Sequence, residues 1–304
     1  MRIGVDLGGT KIEAIVLDEA GRERDRRRIS SPQGAYPATI RAIADLVRSL
    51  EGAGRARVGV AIPGSISPAT GRVRNANATW LIGHAMDRDL SGALERPVRL
   101  ANDADCFALS EATDGAAAGA ASVFGVIVGT GCGGGIVLDG RPLSGPNAIA
   151  GEWGHNPLPW PKDEERPGPA CYCGKQGCIE TWLSGTALAA DHRRVTGEAL
   201  GAPEIDARAQ TGDPGCIATL ERYMDRMARG LAGIINVLDP EVIVLGGGVS
   251  NVQALYEGVP ARWGRYVFSD RVDTRLARAM HGDSSGVRGA AWLWPGDGAV
   301  GDCP

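Results

Sequence analysis

The alternation of apolar and polar positions divides the chain into strands and helices. Apolar runs at Val58–Ile62 and Val98–Ala101 predict buried strands. Apolar side chains at helical spacing predict two amphipathic helices. One stripe contains Ile40, Ile43, Ala44, Val47 and Leu50, and a longer stripe contains Leu220, Tyr223, Met224, Met227, Leu231, Ile234, Ile235 and Leu238. Asp239-Pro240 should end the longer helix, and Glu241–Leu245 predicts a strand that runs into three glycines. This pattern is typical of an α/β protein with two sheets.

An internal repeat relates the two parts of the chain. Gly4–Asp18 aligns with Gly125–Asp139 at an offset of 121 residues without a gap, and seven of the fifteen pairs are identical. Each copy consists of an apolar strand, a glycine-rich turn and a second strand, so each half is predicted to open with a β-hairpin. The run Arg22–Arg28 follows the first hairpin and contains two acids. We expect this run to be a solvated edge strand rather than a nucleic-acid signal.

Composition and charge exclude several classes of protein. The chain has 304 residues, a hydrophobic share of 43% and a net charge of −4, which provides no overall basic field for nucleic acid or an anionic membrane. No apolar run reaches the roughly 18 residues that a membrane span needs. The first nine residues contain a carboxylate and glycines where a signal peptide needs an apolar segment. We therefore expect a cytoplasmic protein whose seven cysteines are reduced, bind metal or act in catalysis.

Glycine-rich turns suggest a site for phosphate groups. Gly129–Gly134 fits the dinucleotide pattern G-x-G-x-x-G, but the expected strand after it excludes that reading, which needs a helix there. Backbone N–H groups in glycine turns can bind anions, Lys11 can neutralise them, and Asp6 can hold water on Mg²⁺. The turn residues are Gly8, Gly9, Thr10 and Lys11 in the first copy, Gly129, Thr130 and Gly131 in the second, and Gly246, Gly247 and Gly248 after the later strand. The paired turns favour a nucleotide over plain hairpins.

Polar residues after the strand at Val98–Ala101 suggest a catalytic base. Asn102 is predicted to cap a helix, and Asp103 then lies in the first turn, where the helix end favours an ionised carboxylate. Such a carboxylate can act as general base on a hydroxyl group. In the alternative interpretation, Asp103 and Asp105 are ordinary acids at a helix start. The segment Gly151–His155 adds an acid, an indole and an imidazole that could contact a polyhydroxylated ligand.

Three clustered cysteines and one histidine predict a metal site. The candidate ligands are His155, Cys171, Cys173 and Cys178. A Cys₃His set is an ordinary tetrahedral zinc site, and four protein ligands indicate a structural ion. The alternative is that these are four unconnected residues of a loop. A metal would order a segment that has much proline and glycine and few apolar residues.

These motifs together resemble the ROK family (repressors, open reading frames, kinases) of the actin-like ATPase superfamily. The matching segments are Asp6–Lys11, Pro63-Gly64, Asn102-Asp103, Gly129–Gly131, Gly151–His155, Cys171–Glu180 and Leu245–Gly248. The resemblance implies a two-domain actin-like ATPase (ribonuclease H-like) fold with duplicated βββαβαβα halves and an interdomain cleft. It also implies a small domain of residues 1–115 plus 284–304, to which the C-terminal helix returns, and a large domain of residues 116–283.

The resemblance further implies roles for individual residues. Asp103 would be the base, and the sugar contacts would be Gly64, Asn102, Asp103, Glu152, His155 and Glu180. The three glycine turns and Asp6 would bind ATP with Mg²⁺, and a structural Zn²⁺ would shape the sugar pocket from behind. Self-association as a homodimer is expected from the family.

Three further segments resemble the bacterial manno(fructo)kinase branch of the family: Asn75–Trp80, Asn156–Trp160 and His281–Trp294. That branch phosphorylates O6 of fructose and, more weakly, mannose, so fructose is the expected sugar. Departures at Ile82, His84, Ala85 and Ala148 fall in loops near the family's sugar site. N-acetylglucosamine, glucose or mannose kinases share the same motifs. A sugar-binding transcriptional regulator would need a helix-turn-helix ahead of the first strand, which here begins at residue 2, and an actin-like ATPase without sugar chemistry would not need the cysteine cluster.

Overall fold

The computed structural model describes residues 1–52 and 54–294 of the chain. The strands are β1 Arg2–Leu7, β2 Lys11–Leu17, β3 Glu23–Ser30, β4 Arg57–Ile62, β5 Ser65–Ile66, β6 Val73–Arg74, β7 Val98–Asn102, β8 Ser122–Val128, β9 Cys132–Leu138, β10 Arg141–Pro142, β11 Val242–Gly246 and β12 Arg275–Arg278. The α-helices are α1 Tyr36–Leu50, α2 Met86–Leu94, α3 Asp103–Thr113, α4 Glu180–Leu183, α5 Gly185–Thr196, α6 Ala202–Gln210, α7 Pro214–Leu238, α8 Leu255–Gly258, α9 Pro260–Trp263 and α10 Ser285–Trp292. The part of the expected small domain at residues 295–304 lies outside the described residues.

The internal repeat corresponds to two sheets with the same strand order. The first sheet has the order β3-β2-β1-β4-β7, and the second has the order β10-β9-β8-β11-β12. In each sheet the opening hairpin is antiparallel, and the strands on its other side run parallel to the first strand. The predicted duplication and the α/β class are therefore confirmed.

The two hairpins differ by one residue in their turns. Leu7 pairs with Ile12 in the first hairpin, whereas Val128 pairs with Cys132 in the second. The turn of the second hairpin is therefore one residue shorter, although the two sequences align without a gap. A shift of one residue exchanges the faces to which side chains point, so matching positions of β2 and β9 do not have matching surroundings.

The predicted helices and edge strand lie where the sequence pattern puts them. The apolar stripe of α1 packs on the first sheet, and the stripe of α7 is buried in the core of the second. Asp239 ends α7 in a left-handed conformation with φ 48°. The arginine-rich segment forms β3 at an edge of the first sheet, where Arg26 and Arg28 pair with the buried Glu13 of β2. None of the helices in the described residues is both long enough and apolar enough to cross a membrane.

Helices α3 and α10 connect the two sheets through close backbone contacts. A Cβ added at Gly4 of β1 would lie 2.0 Å from the carbonyl oxygen of Val287 in α10, so α10 packs directly on the first sheet. In the same way, a Cβ at Gly125 of β8 would lie 2.7 Å from the Cβ of Ala108 in α3. The two helices also touch each other, since α10 has a glycine, Gly289, against the backbone of α3. Each helix begins beside the site described next.

Candidate functional site

Asn102 and Asp103 lie where β7 ends and α3 begins. The side-chain oxygen of Asn102 accepts a hydrogen bond of 2.9 Å from the Ala104 N–H, which confirms the predicted N-cap. The Asn102 amide donates to the carbonyl oxygen of Gly64 at 3.0 Å. Gly64 has φ +95°, and a Cβ there would lie 2.4 Å from the carbonyl oxygen of Arg74. This close packing requires glycine and holds the start of α3 in place.

Burial and neighbouring acids act together on Asp6 and Asp103 at this end of the strands. The pKa of Asp6, near the end of β1, is raised to about 7, chiefly by burial and then by the charges of Asp103 and Glu13. The pKa of Asp103 is also raised by loss of hydration, with a smaller contribution from the charge of Glu152. Water reaches the Asp103 side chain, but the surrounding protein and the nearby acids disfavour its ionised form.

The pKa of Asp103 depends on more than the helix end that the sequence shows. The helix-end argument predicted that an ionised carboxylate is favoured there. The hydrogen bond from the Ala104 N–H does lower the pKa, but loss of hydration outweighs it and the net shift is upward. The sequence argument included only the helix end. A raised pKa is closer to the value that suits a general base at neutral pH.

Residues of both halves line a cavity at the start of α3. The lining residues are Ile62, Ser65, Ile66, Leu100, Ala101, Asn102, Asp105, Gly134, Ser144, Ala148, Ile149, Ala150 and Glu152. Asp105 is the residue whose place in this site the sequence left open. One carboxylate oxygen of Asp105 is buried without a hydrogen-bond partner in the described residues, and burial raises its pKa to about 7. The two acids Asp103 and Asp105 were visible in the sequence, but the cavity that Asp105 lines was not.

The first glycine turn is held by its own backbone and by the segment after β3. The Gly8 N–H donates to the carbonyl oxygen of Lys11 at 2.9 Å and closes the turn. The side chain of Gln33 donates to the carbonyl oxygen of Gly9 at 3.0 Å, and the Ser31 N–H donates to that of Thr10 at 3.0 Å. Lys11 is exposed. The turn is therefore fixed from behind while its other side and the lysine remain accessible.

The second glycine turn is held by the segment that begins α4 and α5. The Gly129 N–H donates to the Gly131 carbonyl oxygen at 3.0 Å, and the Gly129 carbonyl oxygen accepts from the Gly185 N–H at 2.7 Å. The Thr186 hydroxyl donates to the carbonyl oxygen of Thr130 at 2.9 Å. Glu180 accepts a bond of 3.0 Å from the Cys132 N–H. The structure thus brings Glu180 to the second turn.

Sequence reasoning missed these supporting contacts. Ser184 caps α5 by accepting from the Ala187 N–H. A serine followed by small residues at the start of a helix was a visible signal for such a cap. Its position beside Gly129 depends on the fold and was not visible.

The third glycine turn follows β11 and lies against the second. A Cβ at Gly247, where φ is +81°, would lie 2.5 Å from the Val128 carbonyl oxygen, so a side chain cannot fit there. By contrast, no protein atom lies within 4 Å of a Cβ built on Gly9, Gly129 or Gly248. The protein's own packing does not require glycine at these three positions. Their open surroundings suit the close approach of a ligand to the backbone.

The predicted metal ligands form a compact cluster. One ligand atom from each of His155, Cys171, Cys173 and Cys178 lies within 4.8 Å of the others. The Cys173 and Cys178 sulfurs are 3.6 Å apart, and the Cys171 sulfur is 3.5 Å from Nδ1 of His155. Zinc–sulfur bonds of about 2.3 Å in a tetrahedron place sulfurs about 3.8 Å apart. The residues therefore fit a Zn²⁺ ion.

His155 uses its two ring nitrogens for different partners. Nδ1 faces the cysteine cluster, and Nε2 lies 2.9 Å from the hydroxyl oxygen of Tyr172. When Nδ1 binds a metal, Nε2 carries the proton and donates to that oxygen. Tyr172 is 84% exposed, so another acceptor can replace its hydroxyl oxygen as the partner of the His155 Nε2–H. His155 thus joins the metal cluster to the segment that carries Glu152.

Known proteins resemble the chain over almost its whole length. The sequence model of the ROK family matches residues 2–297. An N-acetyl-D-glucosamine kinase from Salmonella heidelberg (strain SL476) is 40% identical over 299 residues, which cover 96% of this chain and 99% of that protein.

Two solved structures share the fold. The crystal structure of a ROK hexokinase from Thermus thermophilus has 33% identity and a TM-score of 0.84, and covers 96% of this chain and 97% of its own. A ROK family glucokinase from Streptomyces griseus, solved in complex with glucose and AMPPNP, has 27% identity and a TM-score of 0.77, with coverages of 96% and 98%. The actin-like fold expected from the sequence is confirmed.

Proposed function

Because this chain belongs to the ROK family, we propose that it is an ATP-dependent kinase that transfers a phosphoryl group to O6 of a hexose, with D-fructose as the preferred sugar. The proposal is supported by the electrostatic coupling of Asp6 to Asp103 and of Asp103 to Glu152, next to a cavity that Asn102 and Glu152 line. Phosphoryl transfer needs a group that accepts the hydroxyl proton and donors that hold the phosphates. These are the groups that this end of the two sheets provides.

Asp103 is the general base in this proposal. Its carboxylate takes the proton of the sugar hydroxyl while that oxygen forms a bond to the γ-phosphorus of ATP and the bond to the β-phosphate oxygen breaks. The raised pKa of Asp103 supports this role, because a proton acceptor works best when its pKa approaches the working pH.

The glycine turns bind the phosphates of ATP. The backbone of Gly8–Thr10 in the first half and of Gly129–Gly131 in the second provides N–H donors, and Lys11 adds a positive charge. Gly246–Gly248 forms the part of the site nearer the adenosine. Asp6 would hold Mg²⁺ through water, and the fit is supported by its buried carboxylate and the nearby charge of Asp103, whose repulsion a cation would relieve. When bound, Mg²⁺ neutralises charge on the phosphates.

Of the proposed sugar contacts, Asn102 and Glu152 line the cavity. The family resemblance adds His155, Glu180 and the backbone at Gly64 as further partners for the sugar hydroxyl groups. The mixed polar and apolar lining of the cavity suits a hexose, which has both hydroxyl groups and C–H faces.

A structural Zn²⁺ would be held by His155 and the three cysteines. It would add order to the segment of residues 155–180 and take no part in the phosphoryl transfer. Through His155 it would also fix the orientation of the neighbouring Glu152 segment.

Fructose is proposed because three segments of the chain resemble manno(fructo)kinases. One of them, Asn75–Trp80, lies against Gly64, since a Cβ there would come within 2.9 Å of the Ala76 nitrogen. It therefore packs behind Gly64, whose carbonyl oxygen binds the side chain of Asn102, and through this contact it could influence the choice of sugar.

N-acetyl-D-glucosamine is the second candidate sugar. The Salmonella relative supports it by its identity of 40% over nearly the whole chain. The exposed Ile149 and the neighbouring Ala148 at the cavity favour it too, because an acetamido methyl group gains from apolar contact. Ala148 has φ 48°, in the left-handed region that favours glycine, at the position where the resemblance leads us to expect glycine.

The test is a measurement of ADP release from ATP–Mg²⁺ with fructose, mannose, glucose and N-acetylglucosamine, each against a blank without sugar. The phosphorylated carbon of the product is assigned by ³¹P–¹H correlation. We expect the highest kcat/KM with fructose and a 6-phosphate product. A higher kcat/KM with N-acetylglucosamine would select the second candidate. Absence of sugar-dependent ADP release from zinc-loaded, folded protein would refute the kinase proposal.

Three further parts of the proposal come from the family resemblance. We propose a homodimer, to be tested by sedimentation, and a cytoplasmic location. We also propose that residues 1–115 with the C-terminal helix and residues 116–283 act as two domains, and the packing of α10 on the first sheet supports the return of the chain.

A further inference from the structure

Arg74 joins the two walls of the cavity. It lies at the end of β6, in the short hairpin that β6 forms with β5. Its Nη2 donates to the backbone carbonyl oxygens of Asn147 and Ala148, the latter at 3.4 Å, and its Nε lies 3.3 Å from the hydroxyl oxygen of Ser65. Asn147 and Ala148 belong to the loop between β10 and Glu152. One guanidinium thus connects the first half of the chain to the second.

On the side of the β5–β6 hairpin, a series of contacts joins Arg74 to Asp103, the proposed base. The carbonyl oxygen of Arg74 packs against Gly64, and the Gly64 carbonyl oxygen accepts the amide proton of Asn102. Asn102 caps the helix that begins with Asp103. The position of Arg74 is therefore fixed relative to Asp103 by a short series of backbone contacts.

On the other side of the Arg74 contacts, the loop that contains Asn147 and Ala148 ends at Glu152. The Ala148 N–H donates to the Gly145 carbonyl oxygen at 3.1 Å, and the Glu152 N–H donates to that of Ile149 at 3.2 Å. The loop from Gly145 to Glu152 is thus a series of hydrogen-bonded turns that ends at Glu152. Ser65 and Ala148, at the two ends of the Arg74 contacts, both line the cavity.

The charge of Arg74 is directed at these carbonyl groups. Within residues 1–52 and 54–294 its guanidinium pairs with no carboxylate, and its hydrogen bonds go to Ser65, Asn147 and Ala148. Hydrogen bonds from a charged donor are stronger than neutral ones, above all where water is partly excluded, as at this half-buried side chain. A planar fork also suits two neighbouring carbonyl oxygens better than a single ammonium group does.

We propose that Arg74 is a positioning residue that fastens the 145–152 loop to the β5–β6 hairpin and so keeps the cavity closed around the bound sugar; this rests on the proposed function. Closure holds Glu152 against the sugar and keeps water away from the γ-phosphorus. Without this contact, the sugar would bind weakly and water would compete for the phosphoryl group, giving ADP and inorganic phosphate. The ATP-binding turns lie outside this contact.

The first test is kinetic and uses three variants of the full chain. For Arg74→Ala we expect the KM for the sugar to rise about 10–100-fold while the KM for ATP stays within about twofold. We also expect more ADP than sugar phosphate, whereas the wild type should form them in equal amounts. Arg74→Lys should recover part of the sugar affinity. Arg72→Ala is the matched control, because this exposed arginine of the same hairpin donates to Gly83 instead.

The second test does not depend on activity. Hydrogen exchange measured on the protein without substrates should show faster exchange of the 145–152 amides in Arg74→Ala than in the wild type or in Arg72→Ala. Unchanged exchange of this loop in a folded Arg74→Ala protein would refute the contact, even if the chain had no kinase activity. Faster exchange with an unchanged KM for the sugar and a 1:1 product ratio would refute its role in closure. A wild-type protein without sugar kinase activity would refute the proposed function separately.

Discussion

At the end of β1 the first half of the chain carries the carboxylate of Asp6, whereas the second half has Ile127 at the position 121 residues later. Lys11 corresponds in the same way to Cys132, whose N–H is bound by Glu180. Both halves keep the strand order and a glycine turn at the same place. The charged side chains belong to the first half alone at these positions, so in the proposed site the second turn would offer phosphate only uncharged donors.

The difference extends to the loops that follow each hairpin. In the described residues, the second half contains the cluster of His155 and three cysteines, and the first half has no group of metal-binding side chains of this kind. The first half instead concentrates carboxylates: the charge of Asp103 contributes to the raised pKa values of Asp6 and Asp105. The duplicated fold thus determines where the strands end in both halves. The chemistry at those ends depends on the few side chains that differ between the halves.

The largest expected effect is on the proposed base. Asp103→Asn keeps the size of the side chain but cannot accept the hydroxyl proton, so we expect kcat to fall about 10²–10⁴-fold. Sugar binding, measured by calorimetry, should stay within a few-fold of the wild type. Asp45→Asn, at an exposed carboxylate of α1, is the control and should leave kcat unchanged. Near-normal kcat in Asp103→Asn would show that Asp103 is not the base. The first half would then lose the catalytic role that distinguishes it from the second.

The metal cluster provides the corresponding test of the second half. We expect about one zinc ion per chain in purified protein, since four ligands make one site. Cys178→Ser should lose most of this zinc and lower the free energy of unfolding by about 4 kcal/mol or more, because loss of a structural metal is among the costliest single changes.

The control for that experiment is Cys216→Ala, a buried thiol of α7 that is not part of the cluster. It should keep its zinc as measured by elemental analysis. Zinc far below one ion per chain in the wild type, or equal zinc in both variants, would contradict the assignment of the cluster.

The sequence was informative where a feature depends on neighbouring residues. The repeat, the edge strand, the cap at Asn102 and the metal ligands all follow from local pattern or spacing, and the structure has each of them. The contacts of Arg74 and the buried setting of Asp105 depend on segments far apart in the chain, so no local pattern could predict them. The pKa of Asp103 lies between these cases. Its helix end was visible in the sequence, but the stronger effect of burial was not.

The two glycine turns can be compared directly. Gly9→Ala and Gly129→Ala place a methyl group where no protein atom lies within 4 Å, so the free energy of unfolding should change by less than about 0.5 kcal/mol. If both turns bind ATP through their backbones, each variant should raise the KM for ATP about tenfold, equivalent to about 1.4 kcal/mol of binding. The KM for the sugar should change little.

Gly4→Ala is the contrasting variant, because here the expected effect is on stability. Its methyl group would collide with the backbone of α10, so this variant should be strongly destabilised. A rise in the KM for ATP in only one of the two turn variants would show that a single half binds the phosphates and would break the symmetry of the turns.

The last expected effect concerns the stability cost of the acids in the first half. The pKa of Asp105 rises from 3.8 to about 7 on folding, through burial and then the charges of Asp103 and Glu152. Between these two values the folded protein keeps a proton that the unfolded chain releases, so this group makes stability fall as pH rises from about 4 to 7.

Asp105→Asn removes that dependence. Its free energy of unfolding relative to the wild type should therefore increase from pH 5 to pH 8 by about 1 to 3 kcal/mol, since one pKa unit corresponds to about 1.4 kcal/mol. Denaturant unfolding at both pH values measures this difference, with Asp45→Asn as the control that should show no such trend. Parallel pH curves for Asp105→Asn and the wild type would mean that Asp105 ionises freely, and the first half would then hold its carboxylates at no cost in stability.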